Sequence, residues 1–164
     1  MNDDRKPGLP AVGDQAPALV LPDDTGAIRD LASQRGTWVV LFFYPKDFTS
    51  GCTTEACDFR DNSAEFSSAG AVVWGISVLD SASKAGFKAK HSLDYPLLAD
   101  EDHVVAERYG VWIEKQNYGK SYSGIARSTF LIDPHGRIAH VWPKVKVEGH
   151  AAEVLAVLRE TSAA

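Results

Sequence analysis

Trp38-Val39-Val40-Leu41-Phe42-Phe43-Tyr44 is apolar at every position and runs directly into Pro45-Lys46-Asp47-Phe48-Thr49-Ser50-Gly51-Cys52-Thr53-Thr54-Glu55-Ala56-Cys57. An uninterrupted apolar run of strand length is the pattern of a strand covered on both faces, so it is expected at the centre of a sheet. The segment that follows holds both cysteines of the chain, five positions apart. A thiol delivered where a strand ends and a helix begins meets unpaired backbone N–H groups and the positive end of the helix dipole. That is the most favourable backbone position for a thiolate.

Working outward, the chain alternates strand and helix signals. Before the central run, Ala18–Leu21 and Ala27–Leu31 read as short strands joined by the turn Pro22-Asp23-Asp24-Thr25-Gly26, a β-hairpin. After it, the pattern predicts a helix from about Thr53 to Ser68, a strand over Ala71–Val78, a helix from Ser81 to about His91 and a short strand at Leu97-Leu98-Ala99. A helix near His103–Tyr109 is closed by Gly110. Ser128–Ile132 and Arg137–Trp142 flank Asp133-Pro134-His135-Gly136, a turn that suits a second hairpin. Ala151, Val154, Leu155 and Leu158 form the apolar stripe of a last helix. Parallel crossovers early and an antiparallel hairpin late give an α/β fold, a central mixed β-sheet flanked by α-helices with an N-terminal β-hairpin, compatible with the thioredoxin-like architecture.

The chain has 164 residues, enough to bury a sizeable core without disulfide staples or a structural metal. The organisation expected is a flexible lead over residues 1–10 and a single domain over 11–164. A net charge of −5 with no lysine-arginine run argues against nucleic acid and anionic membrane surfaces as partners. The polar, acid-containing N-terminus has no apolar core of a secretory signal, and no apolar stretch is long enough to span a bilayer, so the expected location is the cytoplasm. In a reducing compartment two cysteines are chemical groups before they are staples. A zinc site would need two further ligands, and His91, His103, His135, His140 and His150 show no paired spacing, so no metal is expected.

The stretch Tyr44–Cys52, together with Arg127-Ser128-Thr129-Phe130-Leu131-Ile132-Asp133, resembles the peroxiredoxins, and within them the Q-type, bacterioferritin-comigratory-protein subfamily. Pro45, Thr49 and Cys52 match the family's signature, and Cys57 matches the subfamily's helix-borne second cysteine. The resemblance extends from about Gly13 to Leu158. It implies a thiol-dependent peroxidase acting on hydrogen peroxide and organic hydroperoxides. Cys52 would be the peroxidatic cysteine and Cys57 the resolving one. Thr49 and Arg127 would orient thiolate and peroxide, and Pro45 would shield the pocket. Glu55 falls where the family usually has glutamate, whereas Phe48 departs from the smaller or more polar residue expected there. Thioredoxin as reductant and a monomeric state are further implications. Both redox equivalents reside on sulfur, so the chemistry requires no cofactor.

The residue chemistry fits that resemblance. A cysteine of ordinary pKa, about 8.5, is only about 3% thiolate at pH 7, so complete ionisation gains roughly 30-fold, about 2 kcal/mol. Larger acceleration must come from groups that bind the transition state better than the ground state: backbone N–H groups around Gly51, the Arg127 guanidinium and the Thr49 hydroxyl. Gly51 allows close approach to the backbone. On an ideal helix, residues five apart have Cα atoms about 8.6 Å apart, and a disulfide tolerates at most about 7 Å. Cys52 and Cys57 therefore cannot bond until the helix opens.

Blander readings exist for each residue. Cys52 could be an inert buried thiol and Cys57 a helix-packing one; Arg127 could simply pair with a carboxylate, and Thr49 could be a helix cap. The four tryptophans, spread over separate elements, read as core or interface. Lys84, Lys88 and Lys90 read as a solvated helix face. The rival functions are a thioredoxin-like thiol–disulfide oxidoreductase, which normally carries two residues between its cysteines rather than four, and a non-catalytic redox sensor.

Overall fold

In the computed structural model, residues 8–163 are described, and residues 1–7 of the expected lead lie outside them. Five strands form the central sheet: β3 (Trp38–Phe43), β4 (Ala71–Ser77), β5 (Leu97–Ala99), β8 (Ser128–Ile132) and β9 (Ile138–Trp142), in the order β5-β4-β3-β8-β9. β3 runs parallel to β4 and antiparallel to β8; β4 and β5 are parallel, and β8 and β9 antiparallel. The mixed sheet and the central place of the apolar run are as expected.

The alternation of side chains along β3 explains why every position is apolar. Val39, Leu41 and Phe43 enter one core cluster with Trp74, Tyr109 and Phe130. Val40, Phe42 and Tyr44 enter another on the opposite face with Phe59, Phe87 and Leu155. Packing is tight enough that one strand residue must be glycine. A Cβ on Gly75 would fall 2.7 Å from Phe42 Cζ and 2.8 Å from Leu97 Cδ2. Gly75→Ala is expected to cost about 1–3 kcal/mol through overpacking, read as a lower urea midpoint with unchanged slope.

The N-terminal hairpin is present as β1 (Val20–Pro22) and β2 (Ile28–Asp30), paired antiparallel and followed by a short 3₁₀ turn at Leu31–Gln34. α3 (Ser81–His91) is capped by Asp80, whose side chain accepts from the Ser83 N–H at 2.9 Å. α4 (Val104–Arg108) gives way to Gly110, held at φ +71°. α5 (His150–Ser162) buries Ala151, Val154, Leu155 and Leu158, the stripe read from the sequence.

Two expectations are corrected. The helix placed over Thr53–Ser68 begins earlier and is broken: α1 spans Ser50–Asp61 and α2 spans Ser63–Ser68. The Asn62 side-chain amide donates to the Asp58 carbonyl at 2.9 Å, a local bond that competes with helix continuation. A two-stranded ribbon between α4 and β8 was not anticipated: β6 (Trp112–Asn117) and β7 (Lys120–Ile125) turn through Tyr118 and Gly119, both at positive φ. Its strands are mostly exposed, so they lack the alternation that marks a half-buried strand.

Candidate active site

Cys52 is the third residue of α1, and Thr53 N–H, bonded to the Thr49 carbonyl at 2.8 Å, makes the first helical bond. The N–H groups before it have no partner in the helix and lie at the positive end of its dipole. α1 begins just beyond the carboxyl end of β3, one of three parallel strands, the place where open α/β sheets form clefts. The thiol itself is 1% exposed, Cys57 is half-buried, and both are free.

Arg127, in the link between β7 and β8, brings its guanidinium to the thiol. Its Nη2 lies 3.3 Å from Cys52 Sγ, while Nη1 donates to Glu55 Oε1 at 2.6 Å. One planar fork thus spans the sulfur and a buried carboxylate one turn along α1, so the ion-pair reading of Arg127 holds and the same guanidinium also lies against the thiol. Burial works against the Arg127 charge, but the Glu55 carboxylate and Cys52 outweigh it and raise its proton affinity. Gly51 has a use that was not expected: a Cβ there would sit 3.2 Å from Arg127 Nη2, so the missing side chain makes room for the guanidinium.

Glu55 is fully buried, and its Oε2 has no hydrogen-bond partner among the described residues. Burial pushes its carboxyl up to about 7, against the pull of Arg127. The folded chain therefore holds this proton more tightly than the unfolded chain does, so the stability linked to it is full below about pH 4.5 and is lost as pH rises through about 7. Glu55→Gln is expected to flatten that decline, measured as the difference in urea unfolding free energy between about pH 5 and about pH 8.

The other residues singled out gather around the same helix start. Thr49 occupies the N-cap position, but its hydroxyl donates to the Lys46 carbonyl at 2.9 Å rather than capping a helical N–H. It is exposed and free to rotate toward a ligand, and Pro45 is half-buried at the head of the loop. Phe48 stands at φ +66°, a conformation that costs a bulky residue about 1–2 kcal/mol. Its ring packs edge-on against Phe87, centroids 5.3 Å apart, with Lys90 Nζ 5.9 Å from its centroid. It leans on α3.

The reading of Lys84 as solvated is overturned: it is fully buried, with Nζ 3.0 Å from Asp47 Oδ2. Sequence reasoning missed both residues. The available signal was Phe87 three positions after Lys84, which puts the lysine on the apolar face of α3. Among the described residues no group of three histidine, cysteine or acidic side chains is placed to hold a metal ion, and no helix is long and apolar enough to cross a membrane.

Comparison with known proteins places this geometry. Residues 12–141 match the AhpC/TSA family model. Peroxiredoxin Bcp of Bacillus subtilis is 51% identical over 152 residues, covering 92% of this chain and 96% of that protein. Peroxiredoxin Bcp of Escherichia coli K12 is 45% identical over 148 residues, covering 90% and 95%. Among solved structures, Xanthomonas campestris peroxiredoxin Q superposes with a TM-score of 0.87 at 39% identity, covering 96% of this chain and 99% of that one. The bacterioferritin comigratory protein of the same organism, studied for its alkyl peroxide reduction activity, superposes at 0.84 with 42% identity, covering 88% and 92%.

Proposed function

The chain belongs to the AhpC/TSA family and is a thiol-dependent peroxidase of the Bcp and Q type, and we propose that Cys52 is its attacking thiol and Cys57 the thiol that resolves the product. The observation that carries the assignment is the Arg127 fork, which joins Cys52 Sγ and Glu55 at the first turn of α1.

The Cys52 thiolate attacks one peroxide oxygen, the O–O bond breaks, and the other oxygen leaves as alkoxide or hydroxide and takes a proton from solvent. Cys52 becomes a sulfenic acid and the peroxide becomes an alcohol or water. Arg127 and the free N–H groups of the first turn stabilise charge as it moves from sulfur to the leaving oxygen. Thr49 can donate to or accept from the peroxide, and Pro45 limits access of water at the loop. The Cys57 thiol then displaces water from the sulfenic acid, giving a disulfide within one chain.

Cys52 and Cys57 both lie in α1, so on ideal helix geometry their Cα atoms stand about 8.6 Å apart, and the bond requires the first turns to unwind. Unwinding releases the Glu55–Arg127 pair and the bond from the Tyr95 hydroxyl to the Ala56 carbonyl. The rear of the helix is tethered independently: Asp58 Oδ2 accepts from Ala151 N–H at 3.0 Å, and Phe59 stacks on Phe42. The segment able to move is thus residues 50–57.

An external dithiol must reset the disulfide, and thioredoxin is the reductant we assign, in a reducing compartment for which the cytoplasm is our reading. Alkyl peroxide reduction by the Xanthomonas relative supports organic hydroperoxides as substrates beside hydrogen peroxide. Resolution within one chain needs no second subunit, which supports a monomer. The test is Cys57→Ser in a thioredoxin-coupled assay. The expected result is reduction of one equivalent of peroxide per chain and then no turnover, with Cys52 trapped as sulfenic acid. Sustained turnover at the wild-type rate would remove Cys57 from the mechanism.

A further inference from the structure

The loop between β3 and α1, residues 44–49, is bonded through its backbone at its two ends, where Tyr44 N–H donates to the Ile76 carbonyl at 3.0 Å and the Thr49 carbonyl accepts from Thr53 N–H at 2.8 Å, and it sets the position of Thr49 and of the first turn that carries Cys52. What holds it is a polar cluster under the carboxyl ends of β3 and β4. Asp47 Oδ1 accepts from the Tyr44 hydroxyl and from Lys84 Nζ at 3.2 Å; Oδ2 accepts from Ser83 Oγ at 2.8 Å and from Lys84 Nζ at 3.0 Å. Lys84 Nζ also donates to Ser77 Oγ at the end of β4. The carboxylate is fully partnered and the ammonium has an acceptor in every direction it needs. Phe48, seated on Phe87 where Gly86 has no side chain, adds an apolar contact between the same two elements.

Resting on the peroxidase reading above, we propose that the Asp47–Lys84 pair is a latch that fixes the active-site loop to α3 and sets how readily the first turns of α1 unwind, making Asp47 and Lys84 positioning residues of the catalytic cycle. Burying an ion pair brings no net stability over an apolar pair of the same volume, so its presence here calls for a positional reason. The latch lies two residues before Thr49 and five before Cys52, at the front end of the mobile segment, as the Asp58–Ala151 bond lies at its rear. Burial lowers the proton affinity of Lys84, and Asp47, with Asp80 behind it, works to raise it, so the ammonium is held by the carboxylate it faces.

The consequence is a partition. A sulfenic acid held in the folded helix can meet a second peroxide, whose O–O bond breaks to give sulfinic acid and another alcohol or water, whereas an unwound helix delivers it to Cys57. The test uses the paired variant Asp47→Asn with Lys84→Met, which removes both charges together and leaves neither buried alone. Reduced protein is mixed with graded excesses of hydrogen peroxide without reductant, and disulfide and sulfinate are counted by intact mass. The peroxide concentration giving half sulfinate is expected to rise roughly tenfold over wild type, the scale of lost hydrogen bonds to charged groups.

A variant that partitions like wild type, whatever its melting temperature, overturns the latch alone. A wild type that forms neither product overturns the peroxidase reading and the latch with it. Should the paired variant fail to fold, Ser83→Ala removes one bond to Asp47 at a half-buried position. It must move the partition the same way by a smaller factor, and an unmoved partition overturns the proposal equally.

Discussion

Cys52→Ser will remain folded and consume no peroxide: in an NADPH-coupled assay with thioredoxin and its reductase, its rate will fall to that of the protein-free control. In the proposed mechanism the electrons that reduce the peroxide come from this sulfur, and a serine hydroxyl at the same place can neither ionise near neutral pH nor carry the oxidised product. The fold is expected to survive because Cys52 is one small buried side chain at a helix start, and the exchange costs about 1–3 kcal/mol if the hydroxyl lacks a partner. Near-wild-type turnover by Cys52→Ser would transfer the chemistry to Cys57 and dismantle the site described above. Its contrast with Cys57→Ser, one equivalent against none, assigns the two roles separately.

Arg127→Met is the second large effect. It removes a guanidinium 3.3 Å from the sulfur, the charge that the proposed mechanism sets against the leaving oxygen. Losing a single preorganised donor of this kind costs about 10²–10³ in rate, so the second-order constant for hydrogen peroxide, followed by stopped flow, is expected to drop by that factor. The same substitution leaves Glu55 buried without its partner, a loss of about 3–5 kcal/mol where the remaining charge persists. Combining it with Glu55→Gln relieves that strain, so the double variant should regain stability without regaining rate. A rate within about threefold of wild type in the stable double variant would show that the fork positions Glu55 and does little for the peroxide.

Where burial is symmetrical, the fold was legible. The run Trp38–Phe43 is apolar on both sides because both sides face core. The stripe on α5 and the turn at Asp133–Gly136, whose Asp133 side chain accepts from the N–H groups of His135 and Arg137, announced themselves in the same way. The β6–β7 ribbon did not, because strands exposed to water on most positions carry no alternation, and the Tyr118-Gly119 turn went unread. The break at Asn62 depends on one side-chain bond, a detail that helix propensity does not register.

At the site, the reactive position of Cys52 could be read from its place between strand and helix, and Arg127 from its resemblance to a known pattern. What joins them could not. Glu55 and Gly51 matter through their distances to the same guanidinium, and those distances arise only when the β7–β8 link folds back on α1. Lys84 is the clearest failure of reading. A lysine on a helix is usually solvated, and its burial here follows from Asp47, which precedes it by 37 positions. Phe48, unexpected at its place, turns out to serve the packing of the loop on α3.

The account stands on a disulfide between two residues that an intact α1 holds apart, and this is what a single experiment should look for. Trypsin releases Asp47–Arg60 as one peptide carrying both cysteines. After one equivalent of hydrogen peroxide, alkylation and digestion without reductant, the account predicts this peptide two hydrogens lighter, unlabelled and monomeric. Consumed peroxide with both cysteines still alkylated, or two copies of the peptide joined to each other, would contradict it.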